Sequence, residues 1–120
     1  MNRPKILYVD DEYINLELLE INLAGNFNVL KAESGLIGLE ILNIHDDIRV
    51  VISDMKMPVM NGLEFIRKAG EKHPSIKFYI FTGYDITEEM LTAMKDGLIL
   101  KCFRKPFNMK EIEQEIRRVL

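Results

Sequence analysis

The chain has 120 residues, of which 48% are hydrophobic and 29% are charged, with a net charge of −3. This composition is typical of one folded globular domain, and it excludes a disordered chain or two ordinary domains. The acidic balance argues against a dedicated nucleic-acid binder, and no apolar run approaches the roughly 20 residues that span a bilayer.

The single cysteine, Cys102, excludes an intramolecular disulfide and favours a reducing compartment. The first residues, Met1–Lys5, run into a short apolar segment without a signal-peptide pattern. We therefore expect one cytoplasmic domain over residues 1–120, with no direct contact to nucleic acid or membrane.

Five short apolar segments rich in strand-forming residues alternate with segments of helical periodicity. In chain order the strands are predicted at Ile6–Val9, Phe27–Ala32, Val50–Ser53, Ile76–Phe81 and Leu98–Phe103. Strands that alternate with helices predict an α/β fold, a doubly wound five-stranded parallel sheet with helices on both faces. Periodicity by itself leaves the order of the strands open.

The helices between these strands have recognisable starts and apolar positions. Ile14, Leu18 and Ile21 recur at helical spacing and predict the first helix, which ends near Gly25. The caps predicted for the later helices are Ser34, Asn61 with Glu64, Asp85 with Glu88, and Asn108 with Glu111.

Polar side chains stand where four of the predicted strands end. Asp10 and Asp11 follow the first strand, Asp54 the third, Thr82 the fourth and Lys105 the fifth. In an open parallel sheet these ends meet at one edge, where ligand sites lie. Three carboxylates repel each other unless a cation or a proton neutralises them, and Mg²⁺ prefers oxygen ligands. A hydroxyl and an ammonium beside that cation would suit a phosphoryl group.

Four segments resemble the receiver domains of two-component response regulators, the CheY-like family, over essentially the whole chain. They are Ile6–Glu12, Asp54–Gly62, Phe81–Gly83 and Lys105–Phe107. The second segment, Asp-x-x-Met-Pro-x-Met-Asn-Gly, is highly specific. The resemblance implies the flavodoxin-like (βα)5 fold with strand order 2-1-3-4-5.

The resemblance also implies roles for the residues at the strand ends. Asp54 would accept a phosphoryl group from the phosphohistidine of a sensor histidine kinase or a histidine phosphotransfer protein. Thr82 and Lys105 would each bind a phosphoryl oxygen. The ligands of Mg²⁺, or alternatively of Mn²⁺, would be Asp10, Asp11, Asp54 and the backbone carbonyl of Lys56.

Such a domain is not an enzyme with a separate substrate; it catalyses its own phosphorylation and dephosphorylation. It would signal to an unidentified downstream effector through the face formed by helix four, strand five and helix five.

One position departs from the family pattern. An aromatic residue usually stands three residues before the site lysine, but this chain has Cys102 there, with Phe103 next to it. Phe103 could substitute, a register shift could change which residue points inward, or the output surface could respond differently. We expect a non-standard switch that combines Thr82 with Cys102 or Phe103.

Two further positions are those at which family members tune the access of hydrolytic water. Lys56 lies two residues beyond Asp54, and Tyr84 lies two residues beyond Thr82. A bulky Tyr84 that shields the acyl phosphate predicts a phosphorylated form lasting minutes or longer.

Three other functions fit the sequence less well. A Mg²⁺-dependent phosphohydrolase with an aspartyl intermediate usually has a second acid where this chain has Lys56. A flavodoxin-type cofactor carrier needs a Ser/Thr/Gly-rich loop after strand one, where Asp10 and Asp11 would repel phosphate. A receiver-like protein that only binds partners would lack the acidic pair, the acceptor or the lysine.

Overall fold

The computed structural model describes residues 3–120, so the first two residues of the predicted domain lie outside it. Strands and helices alternate throughout this part of the chain. The strands are β1 (Lys5–Val9), β2 (Asn28–Ala32), β3 (Ile48–Asp54), β4 (Lys77–Thr82) and β5 (Lys101–Arg104). The helices are α1 (Tyr13–Leu23), α2 (Gly35–Ile44), α3 (Gly62–Lys72), α4 (Glu88–Lys95) and α5 (Met109–Val119).

The five strands form one parallel sheet in the order β2-β1-β3-β4-β5, which confirms the predicted topology. Val9 pairs with Ser53, and Asp54 pairs with Phe81, so the ends of β1, β3 and β4 are level. This register brings the residues that follow these strands to one edge of the sheet.

Both faces of the sheet are covered, which explains why the central strands are apolar without alternation. Val51 packs in the cluster on the side of α2, α3 and α4, whereas Val50 and Ile52 pack in the cluster on the side of α1 and α5. We call these two clusters the α2–α4 core and the α1–α5 core. Within residues 3–120, no helix is long and apolar enough to cross a membrane.

The apolar residues of α1 lie on both sides of the helix. Leu16, Leu19 and Leu23 are buried against the sheet. By contrast, the spacing that predicted the helix marks its outer side: the exposed apolar residues of α1 are Tyr13, Ile14, Leu18 and Ile21. With Ile14 71% exposed and Ile21 73% exposed, this outer side is an apolar surface with no partner within the described chain.

The predicted caps are confirmed for three helices. The side chains of Ser34 and Asn108 accept the backbone N–H of Ile37 and Glu111, respectively. Asn61 and Glu64 form the complete capping box at the start of α3. These caps satisfy amide groups that have no partner within the helix.

The capping box predicted for Asp85 and Glu88 is wrong. Thr87 caps α4 instead, because its hydroxyl accepts the backbone N–H of Met90. Asp85 is left in the preceding loop, where it makes an exposed ion pair of 3.6 Å with Arg104.

The fifth strand begins later than predicted, at Lys101 instead of Leu98. Gly97 adopts a left-handed φ of +80° after α4, a conformation that glycine adopts without steric cost. The amides of Leu98 and Ile99 then donate to the carbonyl of Ala93, so they complete the end of the helix. Leu100 is the first residue of this segment to bond the neighbouring strand, at Phe78.

Candidate functional site

The three predicted acidic residues meet at the carboxyl edge of the sheet. One carboxylate oxygen from each of Asp10, Asp11 and Asp54 lies within 4.8 Å of the other two. Asp10 is fully buried and Asp54 is 5% exposed, whereas Asp11 faces solvent. An all-oxygen donor set of this charge fits a hard divalent cation such as Mg²⁺.

Local hydrogen bonds hold Asp10 at the end of β1. Its backbone N–H donates to the carbonyl of Ala32 at 3.0 Å, which extends the β1–β2 pairing by one residue. Its Oδ1 accepts the backbone N–H of Glu12 at 2.9 Å, and its Oδ2 accepts the hydroxyl of Tyr8 at 2.5 Å. Both oxygens of this carboxylate are therefore held by donors within its own segment.

Tyr8 is a site residue that the sequence analysis missed. A signal for it was available, because residues two apart in a strand point to the same face, and Tyr8 stands two before Asp10. Burial, followed by the charge and hydrogen bond of Asp10, raises the pKa of the Tyr8 hydroxyl far above its ordinary value. The hydroxyl therefore keeps its proton, which it donates to Oδ2 of Asp10.

Lys105 reaches the phosphoacceptor candidate directly. Its Nζ lies 3.0 Å from Oδ1 of Asp54 and 3.7 Å from Oδ2 of Asp10. Its backbone N–H donates to the carbonyl of Thr82 at 2.9 Å, which fixes the start of the β5–α5 loop. Burial alone would lower the pKa of Lys105, but the hydrogen bond and charge of Asp54, with the charge of Asp10, raise it.

Asp54 experiences opposing influences. Burial raises the pKa of its carboxyl group, and the negative charge of Asp10 raises it further. The hydrogen bond and the positive charge of Lys105 act in the opposite direction, and the resulting pKa is about 6. Burial and charge repulsion therefore outweigh the ion pair, so a bound cation would relieve a real electrostatic cost.

The Thr82 hydroxyl is engaged with a neighbouring backbone. It accepts the N–H of Tyr84 at 3.1 Å and lies 3.2 Å from the carbonyl of the same residue, to which it donates. Thr82, Asp54 and Lys105 line one cavity of about 320 Å³. The hydroxyl can therefore reach a group on Asp54 only after it leaves the backbone of Tyr84.

The two predicted rate-tuning residues contact each other at this cavity. The Nζ of Lys56, on the β3–α3 loop, lies 4.4 Å from the centre of the Tyr84 ring, on the β4–α4 loop. Both residues line the cavity that contains Asp54. An ammonium over a tyrosine ring is an attractive arrangement. The metal-ligand role of the Lys56 carbonyl stays a prediction.

Cys102 and Phe103 point to opposite faces of the sheet. Cys102 is 8% exposed in the α2–α4 core, with its Sγ 3.9 Å from Sδ of Met90. Phe103 packs in the α1–α5 core, where its ring stacks on that of Tyr79 with 5.4 Å between the ring centres. Phe103 is therefore on the wrong face to take over the side-chain position of Cys102. Burial raises the pKa of the Cys102 thiol, as expected for a small core residue.

The loop after Asp54 folds back tightly against the end of β3. The N–H of Gly62 donates to the carbonyl of Met55 at 2.9 Å. A Cβ at Gly62 would lie 2.4 Å from the backbone oxygen of Asp54. Glycine at this position therefore lets α3 begin directly beside the phosphoacceptor candidate.

Comparison with known proteins agrees with this geometry. The family described as response regulator receiver domain matches residues 6–117. A chemotaxis protein CheY homolog of Campylobacter jejuni is 32% identical over 120 residues, which cover 97% of this chain and 92% of that protein. Sporulation initiation phosphotransferase F of Bacillus subtilis is 31% identical over 121 residues, which cover 100% of this chain and 96% of that protein.

The fold agrees as well as the sequence. The solved structure of a response regulator receiver domain protein from Clostridium thermocellum superposes with a TM-score of 0.89 at 32% identity. The match covers 96% of this chain and 92% of that one. On its sequence, its strand order and the residues gathered at its sheet edge, the chain belongs to the response regulator receiver domains of two-component signalling systems.

Proposed function

We propose that Asp54 is the phosphoacceptor and that it takes its phosphoryl group from a phosphohistidine. A carboxylate oxygen of Asp54 would form the new bond to phosphorus while the bond from phosphorus to the histidine nitrogen breaks. The leaving nitrogen keeps the electron pair of that bond. The observation that carries the proposal is the Lys105 ammonium, 3.0 Å from Oδ1 of Asp54, in a cavity that Thr82 also lines.

The acid cluster supports a divalent cation as part of this site. Asp10, Asp11 and Asp54, with the backbone carbonyl of Lys56, would hold Mg²⁺ or Mn²⁺. When bound, the cation would neutralise negative charge on the carboxylates and on the transferred phosphoryl oxygens. The raised pKa of Asp54 supports the same proposal, because burial and the charge of Asp10 together outweigh the hydrogen bond and charge of Lys105.

Two protein groups complete the phosphoryl site. Lys105 would exchange its hydrogen bond to Asp54 for one to a phosphoryl oxygen, since an ammonium carries three donors. Thr82 would turn its hydroxyl from the Tyr84 carbonyl to another phosphoryl oxygen. Because these groups act on the chain's own acceptor, the protein catalyses its own phosphorylation and dephosphorylation and is not an enzyme with separate turnover.

The surface beside the site supports docking of a histidine kinase or a histidine phosphotransfer protein. A cavity of about 450 Å³ lies between α1 and the start of α5, and Lys105 forms part of its wall. Leu18 lines this cavity, and Ile14 extends the exposed apolar surface on the same helix. A donor that docks on this surface would lie beside Lys105 and therefore close to Asp54.

The face of α4, β5 and α5 is our proposal for the contact with the downstream effector. It exposes Leu91 on α4 and Leu100 before β5, so it offers apolar surface of its own. Because Phe103 points away from α4, the response at this face would depend on Thr82 and the β4–α4 loop. We propose a cytoplasmic location, where kinases of this class present phosphohistidine.

The direct test is covalent labelling. The protein is incubated with Mg²⁺ and acetyl phosphate or phosphoramidate, and its intact mass is measured. We expect the wild type to gain one phosphoryl group and Asp54→Asn to gain none. Omission of Mg²⁺ should abolish labelling of the wild type.

Asp46→Asn is the matched control, because Asp46 is an exposed aspartate in the α2–β3 loop, outside the acid cluster. This variant should be labelled like the wild type. An unmodified wild type, or equal labelling of Asp54→Asn, would contradict the proposal.

A further inference from the structure

The Tyr8 hydroxyl contacts the cluster of Asp10, Asp11 and Asp54 from within the protein interior. Its side chain is fully buried. Its ring makes edge contacts with the rings of Phe81 and Phe107, at centre-to-centre distances of 5.6 Å and 6.2 Å, respectively. With the ring packed in this way, the hydroxyl points toward Asp10. It donates to Oδ2 of Asp10 at 2.5 Å.

The ammonium of Lys105 lies closer to Asp54 than to Asp10. Oδ2 of Asp10 is bonded by Tyr8 at 2.5 Å and lies 3.7 Å from the ammonium of Lys105. The same ammonium approaches Oδ1 of Asp54 to 3.0 Å. Asp10 therefore receives hydrogen bonds from Tyr8 and from the N–H of Glu12, whereas Asp54 has the closer ion pair with Lys105.

We propose that Tyr8 is a positioning residue for the divalent cation, acting through the carboxylate of Asp10. The inference rests on the proposed function, since it assigns Tyr8 a part in the same cation site. Groups that hydrogen-bond a metal ligand fix its orientation, and their removal typically weakens metal binding by about 10–100-fold. Tyr8 itself is not a ligand, because its hydroxyl proton is committed to Asp10.

The test replaces Tyr8 by phenylalanine, which keeps the ring contacts and removes only the hydroxyl. Tyr79→Phe is the matched control. Tyr79 is equally buried, but its hydroxyl donates to Oε2 of Glu115 on α5 at 2.8 Å, away from the acid cluster. Binding of Mn²⁺ is measured from the electron paramagnetic resonance signal of the free ion, which does not depend on phosphorylation.

We expect Tyr8→Phe to bind Mn²⁺ at least about tenfold more weakly than the wild type and Tyr79→Phe to bind it normally. Labelling by acetyl phosphate should need correspondingly more Mg²⁺, with a rate at saturating Mg²⁺ much closer to that of the wild type. A general loss of packing would instead lower the rate at every Mg²⁺ concentration.

A double-mutant cycle tests whether Tyr8 acts through Asp10. In an Asp10→Asn background the effect of Tyr8→Phe on Mn²⁺ affinity should largely disappear. In an Asp11→Asn background it should persist, because Asp11 has no bond to Tyr8 among the described contacts. An equal effect in both backgrounds would overturn the assignment of Asp10 as the intermediary.

A second measurement on the wild type needs no variant to fold. With tyrosine labelled at Cζ with ¹³C, addition of Mg²⁺ should shift the signal of Tyr8 and leave that of Tyr79 in place. A Tyr8 signal that does not respond to saturating Mg²⁺ would overturn the inference.

The outcomes separate this inference from the proposed function. A wild type that binds Mn²⁺ and is labelled on Asp54, with a Tyr8→Phe variant that binds equally well, removes only the role of Tyr8. A wild type that binds neither cation removes both.

Discussion

The Lys56 ammonium lies 4.4 Å from the centre of the Tyr84 ring, and this contact joins the two loops on either side of Asp54. The backbone of Tyr84 is also bonded to the Thr82 hydroxyl through both its N–H and its carbonyl. A movement of Thr82 toward a phosphoryl group would therefore disturb Tyr84, and with it the contact to Lys56.

The first prediction concerns the lifetime of the phosphorylated protein. Because the Tyr84 ring and Lys56 line the cavity around Asp54, Tyr84→Ala should admit water and shorten this lifetime. We expect an acceleration of about tenfold, equivalent to about 1.4 kcal/mol in the barrier. The loss of radioactive phosphate from the isolated phosphorylated protein measures it.

Tyr13→Ala is the control for this prediction. Tyr13 is 62% exposed and Tyr84 is 65% exposed, but Tyr13 lies on α1 outside the cavity that contains Asp54. Its replacement should leave the lifetime unchanged. Complete loss of label from the wild type within seconds would reject shielding by Tyr84.

The second prediction concerns Gly62. A Cβ at this residue would lie 2.4 Å from the backbone oxygen of Asp54, so Gly62→Ala must displace α3 or the end of β3. We expect a loss of about 1–3 kcal/mol in the free energy of unfolding, as for other overpacked positions. Urea unfolding measures the loss, and labelling by acetyl phosphate should slow at the same time.

Gly25→Ala provides the comparison for Gly62, because a Cβ at Gly25 would have no atom within 4 Å. This exchange should be neutral, or stabilising by about 0.4–1 kcal/mol through the unfolded chain. Equal stability of the two variants would show that the loop accommodates a methyl group beside Asp54.

The third prediction is a pH dependence of stability in the absence of a divalent cation. The pKa of Asp54 is raised to about 6 in the folded protein, above its ordinary value of 3.8. Between these values the folded state binds more protons than the unfolded state, so stability should fall as pH rises from about 4 to about 6. The contribution of Asp54 is at most about 3 kcal/mol.

Asp54→Asn should lack this part of the pH dependence, because an amide does not titrate. Urea unfolding of both proteins in the presence of a chelator, from pH 4 to pH 7, gives the difference directly. Addition of Mg²⁺ should restore stability to the wild type above pH 6 and have little effect on Asp54→Asn. A difference that does not vary with pH would mean that Asp54 titrates normally.

The fourth prediction concerns Cys102, which stands where the family resemblance leads us to expect an aromatic residue. Cys102 is closely packed in the α2–α4 core against Met90, so Cys102→Tyr should cost about 1–3 kcal/mol in the free energy of unfolding. The double variant Cys102→Tyr with Met90→Ala should recover part of this loss. Thermal unfolding of the wild type, Cys102→Tyr and the double variant measures these changes. An unaltered Tm for Cys102→Tyr would show that the core accommodates the larger side chain without strain.

Much of the fold could be predicted because two kinds of pattern are strong in this chain. Apolar runs such as Val50–Ile52 indicate strands covered on both faces, and Asn61 with Glu64 marks a helix start through a specific pair of hydrogen bonds. The meeting of Asp10, Asp11 and Asp54 could be predicted as well, since each lies at or just beyond the end of a strand of one parallel sheet.

The remaining features depend on choices that local sequence leaves open. Asp85 and Thr87 are both suitable caps, and the structure uses Thr87 because its hydroxyl reaches the N–H of Met90. The contact of Lys56 with Tyr84 joins two loops whose conformations are set by tertiary packing. Which side of α1 faces the sheet is ambiguous for another reason, because leucine or isoleucine occurs on both its inner and its outer side.

The outward isoleucines of α1 have a practical consequence for work with the purified protein. Ile14 and Ile21 lose contact with water only when another molecule covers them, and we expect a second copy of the chain to do so at high concentration. Self-association and donor binding would then compete for one surface. The apparent affinity for the donor should consequently be lower in concentrated than in dilute solution. Phosphotransfer rates measured over a dilution series should reveal the difference.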